Sequence, residues 1–217
     1  MTARNVCTLI LACALGLTVL TGLVALDVPI PGDGELVDLA LSTRGESVTG
    51  AILILTFVSS SIPALFIAVV VSGIELWRVW REEGPSVAST GAAWATAAYL
   101  GYVASNIGLR IAVGRFRPGV DYIPHLLPEV QASFQRFSYP SGHAGAALFA
   151  YASLVVLAWP WKVWRWATLA VALVVVAATG FGRVYMGVHW PSDVLGGYLL
   201  GGCWLGIGMT LRRWRDR

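Results

Sequence analysis

Charge is what this chain has least of. Asp, Glu, Lys and Arg make up 12% of its 217 residues, about half the share that soluble domains carry. A soluble globular protein is thereby excluded. The formal net charge is only +3, and no basic stripe suits a nucleic acid, so none is expected as a partner. Cysteine is scarce as well. Cys7, Cys13 and Cys203 all lie in apolar runs, and their odd number and spacing exclude a disulfide framework and a cysteine-based metal motif. They read as small packing residues. Repeats and low-complexity tracts are missing, and at this length one domain over residues 1–217 is the natural expectation.

What the chain has in abundance is apolar sequence, 57% of the total. A spanning helix needs about 20 such residues, and six runs qualify, at about 5–26, 50–72, 88–113, 141–159, 166–182 and 191–211. The fold class predicted is therefore all-α, a bundle of six transmembrane helices. The third run is the least apolar, rich in Ala and Gly as close helix packing in lipid favours. Arg4, Arg78, Arg81, Lys162, Arg165, Arg212, Arg213, Arg215 and Arg217 would share one side. Asp27, Asp33, Glu35, Asp38 and Glu46 would face the other with Arg44. The positive-inside rule then puts both termini in the cytoplasm. Trp159, Trp161, Trp164 and Trp166 bracket the fourth-to-fifth turn as an interfacial belt. The first run is longer than a signal-peptide core and lacks a clear cleavage site, so it is expected to stay as a helix.

Three polar clusters interrupt this apolar background: Arg110-x6-Arg117-Pro118, Pro140-Ser141-Gly142-His143 and Arg183-x5-His189-x3-Asp193. Charge at the end of a membrane helix is costly and marks function. In the predicted topology all three lie on the extracytoplasmic side, at the end of the third span, the start of the fourth and the turn between the fifth and sixth.

Their chemistry suits a phosphate. Ser141 is a favoured N-cap, and the N–H groups of the helix it opens form a ready anion site. Gly142 lets a bound group approach the backbone, and His143 follows in the first turn. Arg110, Arg117 and Arg183 stay charged and bond phosphate oxygens in a fork. Asp193, in the first turn after Pro191, is placed to fix the tautomer of His189. That frees the other ring nitrogen as a nucleophile. A metal site is rejected: two histidines and one carboxylate are thin ligands, and arginines would oppose a cation. Arg115 has no motif role and is expected to snorkel or to touch a lipid headgroup.

The clusters resemble, in order and spacing, the three signature motifs of the type 2 phosphatidic acid phosphatase superfamily: Lys-x6-Arg-Pro, Pro-Ser-Gly-His and Ser-Arg-x5-His-x3-Asp. The six-span layout is similar to its bacterial membrane branch. Two positions depart. Arg110 stands where the family usually has Lys, and Gly182 where it has Ser, so a hydroxyl contact to phosphate is expected to be missing. The resemblance implies that His189 attacks phosphorus to form a phosphohistidine, that Asp193 orients it, and that His143 protonates the leaving group and then activates water. It implies that Arg110, Arg117, Arg183, Ser141 and the N–H of Gly142 cradle the phosphate, and that no cofactor is needed.

The resulting expectation is a lipid phosphatase of a bacterial plasma membrane with its site at the outer face. Its partners would be the bilayer and a membrane lipid phosphate of the polyprenyl pyrophosphate, phosphatidylglycerophosphate or phosphatidic acid class. The oligomeric state is not legible. Phosphotransfer to an acceptor other than water is the nearest rival. Vanadium-dependent haloperoxidases share the motifs but are soluble, which the six apolar runs oppose. A non-catalytic lipid-phosphate binder leaves His143, His189 and Asp193 without a purpose. Asp121, His125, Glu129, Gln131 and Arg136 lie between the first two motifs. Asp121 and His125 read as solvated loop, the other three as candidates for headgroup contact, in a stretch expected to select the substrate.

Overall fold

The computed structural model describes residues 2–83, 93–118 and 136–215. Among these every regular element is a helix: α1 Ala3–Ala25, α2 Asp33–Ser42, α3 Glu46–Val58, α4 Ser61–Glu83, α5 Trp94–Val113, α6 Gly142–Ala158, α7 Lys162–Tyr185 and α8 Pro191–Arg215. α1, α4, α7 and α8 each contain a stretch long and apolar enough to cross a membrane, and α6 is a shorter apolar helix. Large apolar side chains point outward along them, among them Leu11, Ile62, Phe66 and Val174, and Ile111 does so on α5. Buried polar groups instead lie inside the bundle, as a lipid environment requires.

The second predicted span does not exist as one helix. The chain breaks at Ser59 and Ser60, between α3 and α4. Pro63 causes this: in a continuous helix its ring would strike the carbonyl of residue 59, whereas the first turn of a new helix accepts it. α4 also runs on past Ser72 to Glu83. Its charge is compensated there, because the buried Glu75 accepts from Arg212 Nε and Nη2 at 3.1 and 3.0 Å and from Arg78 at 3.4 Å. A hydropathy reading stops where these charges begin. The stretch read as an acidic connection holds a helix of its own, α2, followed by α3.

α8 is the central helix and packs on α1, α5, α6 and α7. Small residues let it approach α6. A Cβ added to Gly201 would lie 2.7 Å from the carbonyl oxygen of Gly145, and one added to Gly145 would meet the carbonyl of Gly197. Backbones this close gain van der Waals contact without side-chain entropy. The contact also joins the two helix starts: Ser141 N donates to the carbonyl of Asp193 at 2.8 Å. The end of α5, the start of α6, the end of α7 and the start of α8 thus meet at one end of the bundle. The Glu75–Arg212 pair lies at the other.

Candidate active site

α5 delivers Arg110 in its last turn. The Nε of Arg110 donates to the carbonyl of Pro140 at 3.2 Å, and Asn106, one turn earlier, donates to the same oxygen at 3.4 Å. This holds the guanidinium over the start of α6, where a Cβ on Gly142 would lie 3.5 Å from Arg110 Nη2 and 3.2 Å from Asn106 Oδ1. Only glycine leaves that approach open. Ser141 takes the N-cap position, as its sequence context predicts, but its hydroxyl makes no cap bond. The hydroxyl is buried and has no hydrogen-bond partner among the described residues. Gly145 N–H is the first to find a helix carbonyl, that of Ser141 at 3.2 Å. The N–H groups of residues 142–144 therefore have no acceptor within the helix. Tyr102 donates to the carbonyl of Gly142 at 2.7 Å and fixes the turn.

Past α5, Gly114 closes the helix in a left-handed conformation, φ 62°. Arg117 then reaches the third cluster, donating to the carbonyl of Val188 at 3.1 Å. Burial, and the charges of Arg110 and Arg183, push the Arg117 guanidinium down to about 10, with Asp193 opposing. It stays charged at neutral pH. Arg183 lies buried in the last turn of α7. The charges of Arg183, His189, Arg110 and Arg117 all act on His143, so the three predicted arginines and both histidines share one neighbourhood.

His189 lies in the turn between α7 and α8 and is 1% exposed. Its Nδ1 is 3.5 Å from Asp193 Oδ2 and 3.4 Å from Ser138 Oγ. Burial pushes the imidazole down to about 4; Asp193 opposes this and the charges of Arg117 and Arg110 add to it. The ring is therefore neutral at pH 7. Asp193 is fully buried. Its Oδ2 also accepts from Ser138 Oγ and from Trp190 N, the latter at 2.9 Å. Its Oδ1 accepts from Arg115 Nη1 at 2.7 Å.

All eight predicted site residues, His189, His143, Asp193, Arg110, Arg117, Arg183, Ser141 and Gly142, lie at this end of the bundle. Arg115 corrects its expectation. It is no interfacial snorkel but an ion-pair partner of Asp193 and of Asp33, the latter at 2.8 Å. A desolvated carboxylate attracts it more strongly than the interface does. Gly182 packs against α3, where a Cβ would lie 3.0 Å from Ile52 Cγ2. Ser138, Asn106 and Asp33 were not read as site residues. Asn106 sits one turn before Arg110 on one helix face, a spacing that could have found it. Asp33 is distant in sequence and carries no local signal. Of the loop expected to select substrate, Asp121, His125, Glu129 and Gln131 lie outside the described residues, and Arg136 stacks 5.3 Å from the ring of Phe116. Among the described residues no three His, Cys, Asp or Glu side chains gather as metal ligands.

Comparison with known proteins adds the family. The model described as the PAP2 superfamily matches residues 86–217, more than half of the chain. The YbjG protein of Escherichia coli (strain K12) is 47% identical over 68 residues, 30% of this chain and 31% of that protein. An undecaprenyl-diphosphatase of Sulfolobus acidocaldarius is 43% identical over 65 residues, 30% of this chain and 29% of that protein. The chain thus spans under a third of the length of either relative. A crystal structure of a transmembrane PAP2 type phosphatidylglycerolphosphate phosphatase from Bacillus subtilis superposes with a TM-score of 0.67 at 20% identity. It covers 93% of this chain and 95% of its own. The fold is the same.

Proposed function

This chain belongs to the PAP2 superfamily, and on that premise we propose that it hydrolyses a lipid phosphate or pyrophosphate through a phosphohistidine at His189. One observation carries the reading. A buried, neutral histidine turns Nδ1 to a carboxylate beside three guanidinium groups and an open helix N-terminus. Buried cations and orphan N–H groups at one point suit an anion.

Nδ1 carries the proton toward Asp193, which leaves the lone pair on Nε2 of His189 for attack on phosphorus. The P–N bond forms as the bond from phosphorus to the leaving oxygen breaks. His143 gives that oxygen a proton. Neutral His143 then takes a proton from water, whose oxygen attacks phosphorus and breaks the P–N bond, releasing phosphate and restoring His189. Arg110, Arg117 and Arg183, the N–H of Gly142 and the hydroxyl of Ser141 hold the oxygens on which charge builds. Positioning and electrostatics of this kind account for most phosphoryl-transfer catalysis. Three guanidiniums serve the neutralising role that other phosphotransfer sites give to a metal, so the reaction is metal-independent.

In a bilayer, α1, α4, α5, α6, α7 and α8 are the six spans of a single domain. Arg78, Arg81, Lys162, Arg165 and Arg212 mark the cytoplasmic end by the positive-inside rule. That arrangement gives cytoplasmic termini and an outward-facing site in a bacterial plasma membrane. The first substrate class is a polyprenyl pyrophosphate, by likeness to the undecaprenyl-diphosphatase of Sulfolobus. Phosphatidylglycerophosphate and phosphatidic acid follow. The test is phosphate release by purified protein in detergent from these three lipids, with and without chelator, beside His189→Ala. Full activity in that variant ends the proposed mechanism.

A further inference from the structure

Arg115 has no part in the scheme above, yet it bonds two carboxylates and a hydroxyl at the site. Nη1 donates to Asp193 Oδ1 and to Ser192 Oγ, each at 2.7 Å, and Nη2 donates to Asp33 Oδ2 at 2.8 Å. Asp33, itself buried in the first turn of α2, accepts Ser192 N at 2.9 Å on Oδ1 and the Ser192 hydroxyl on Oδ2. The guanidinium is thus clamped between two buried carboxylates on separate helices, with the ring of Trp190 at 5.4 Å. A planar fork held at both ends has one orientation open to it.

We propose that Arg115, clamped by Asp33, is a positioning residue: it holds the Asp193 carboxylate turned so that Oδ2 faces Nδ1 of His189. The proposal rests on His189 as nucleophile. The alternative is a bridge that only ties α2 to α8. The geometry favours positioning, because Arg115 occupies Oδ1 and leaves Oδ2 to Ser138, Trp190 and His189. It also gives α2 a part in the reaction, although Asp33 lies outside the residues matched by the family model.

The experiment measures kcat and KM from pH 4 to 9 on a polyprenyl pyrophosphate and on phosphatidic acid in detergent micelles. It compares wild type, Arg115→Met, Arg115→Lys, Asp33→Asn, Asp33→Asn/Arg115→Met and His189→Ala. The other charged or titratable groups near Asp193, namely His189, Arg110, Arg117 and Tyr139, are unchanged in the Arg115 and Asp33 variants. Arg115→Met should lower kcat about 10- to 100-fold, the range seen when an outer partner of an active-site ligand is lost. KM should hold, since the group meets no substrate. The acid limb should move to higher pH, because Asp193 accepts a proton more readily without its cation. Arg115→Lys should recover part of kcat and most of the limb. Asp33→Asn should cost less alone and nothing further once Arg115 is gone. A bridge predicts lower thermal stability with an unmoved acid limb and unchanged kcat in the folded protein, and that result overturns the proposal; multiplying losses in the double variant would show that the two residues do not act as one unit, and overturn it as well. If Arg115→Met does not fold, Arg115→Lys and Asp33→Asn decide: wild-type kcat and pH profile in both overturn it. Full activity in His189→Ala overturns the nucleophile itself. An inactive His189→Ala beside a wild-type Arg115→Met overturns positioning alone.

Discussion

Ser138 gives its hydroxyl hydrogen to Asp193 Oδ2, the same oxygen that faces Nδ1 of His189. With that hydrogen committed, the Ser138 oxygen is an acceptor toward His189 at 3.4 Å. Both neighbours of Nδ1 therefore ask it for a proton, and Nε2 is left with a bare lone pair, as the proposed attack on phosphorus requires. Ser138→Ala removes one of these two votes while Trp190 N still holds Asp193. One neutral hydrogen bond is worth about 1 kcal/mol, so kcat should fall about fivefold with KM unmoved. Steady-state kinetics on a polyprenyl pyrophosphate checks this; a change confined to KM would mean that Ser138 meets substrate instead.

The acid limb of kcat/KM should lie well below the ordinary histidine value. Burial and the arginines push His189 down to about 4 from 6.5, so the neutral imidazole that the proposed mechanism needs persists as the pH falls toward that value. Stability has the same sign. Between 4 and 6.5 the unfolded chain binds a proton at residue 189 that the folded chain refuses, so this contribution is present above 6.5 and lost as pH falls through 4. Thermal unfolding of wild type beside His189→Gln, in detergent over that window, checks it. A melting temperature that falls equally with acid in both proteins would contradict the sign.

The His189–Asp193 pair was legible because four residues along one turn keep it local. The three clusters were legible because their apolar surroundings make charge conspicuous. The break at Ser59 was available from Pro63 and the three serines before it, but the apolar stretches on either side read as one span. Arg115 was misread, and Asp33 counted only as a loop charge, for one reason. Their bond links residues 82 positions apart, and no local pattern states that α2 folds over the start of α8. Glu75 illustrates the same limit at the other end of the bundle, since its partner Arg212 comes from another helix.

Restoring the family's serine at residue 182 should not raise activity. The side chain would start against Ile52 on α3, 3.0 Å from Cγ2, and tight packing of this kind costs about 1 kcal/mol or more. Gly182→Ser should lower the melting temperature by about 2–4 °C with kcat unchanged. In an Ile52→Ala background the serine's cost should vanish, a coupling that a double-mutant cycle reads directly. A gain in kcat from the serine would place its hydroxyl at the phosphate and contradict the geometry.

Arg110 differs from the family's lysine in a way that the structure makes specific. Its Nε is spent on the carbonyl of Pro140, while Nη2 lies over Gly142, where the phosphate would enter. One side chain thus anchors the turn before α6 and, in the proposed reaction, would also face the anion. A lysine has a single ammonium and must choose between these tasks. Arg110→Lys should therefore keep activity but lose about tenfold in kcat/KM, about 1.4 kcal/mol, and Arg110→Ala should lose about 100-fold or more. Gly142→Ala tests the same point from the other side. Its methyl group would fill the gap beneath Arg110, 3.2 Å from Asn106 Oδ1, and should raise KM for every lipid phosphate while the protein still folds. If Arg110→Lys proves as active as wild type, the bond to Pro140 is dispensable and the ammonium alone suffices. If Gly142→Ala binds and turns over normally, the phosphate does not approach the backbone there, and the cradle must lie nearer Arg117 and Arg183.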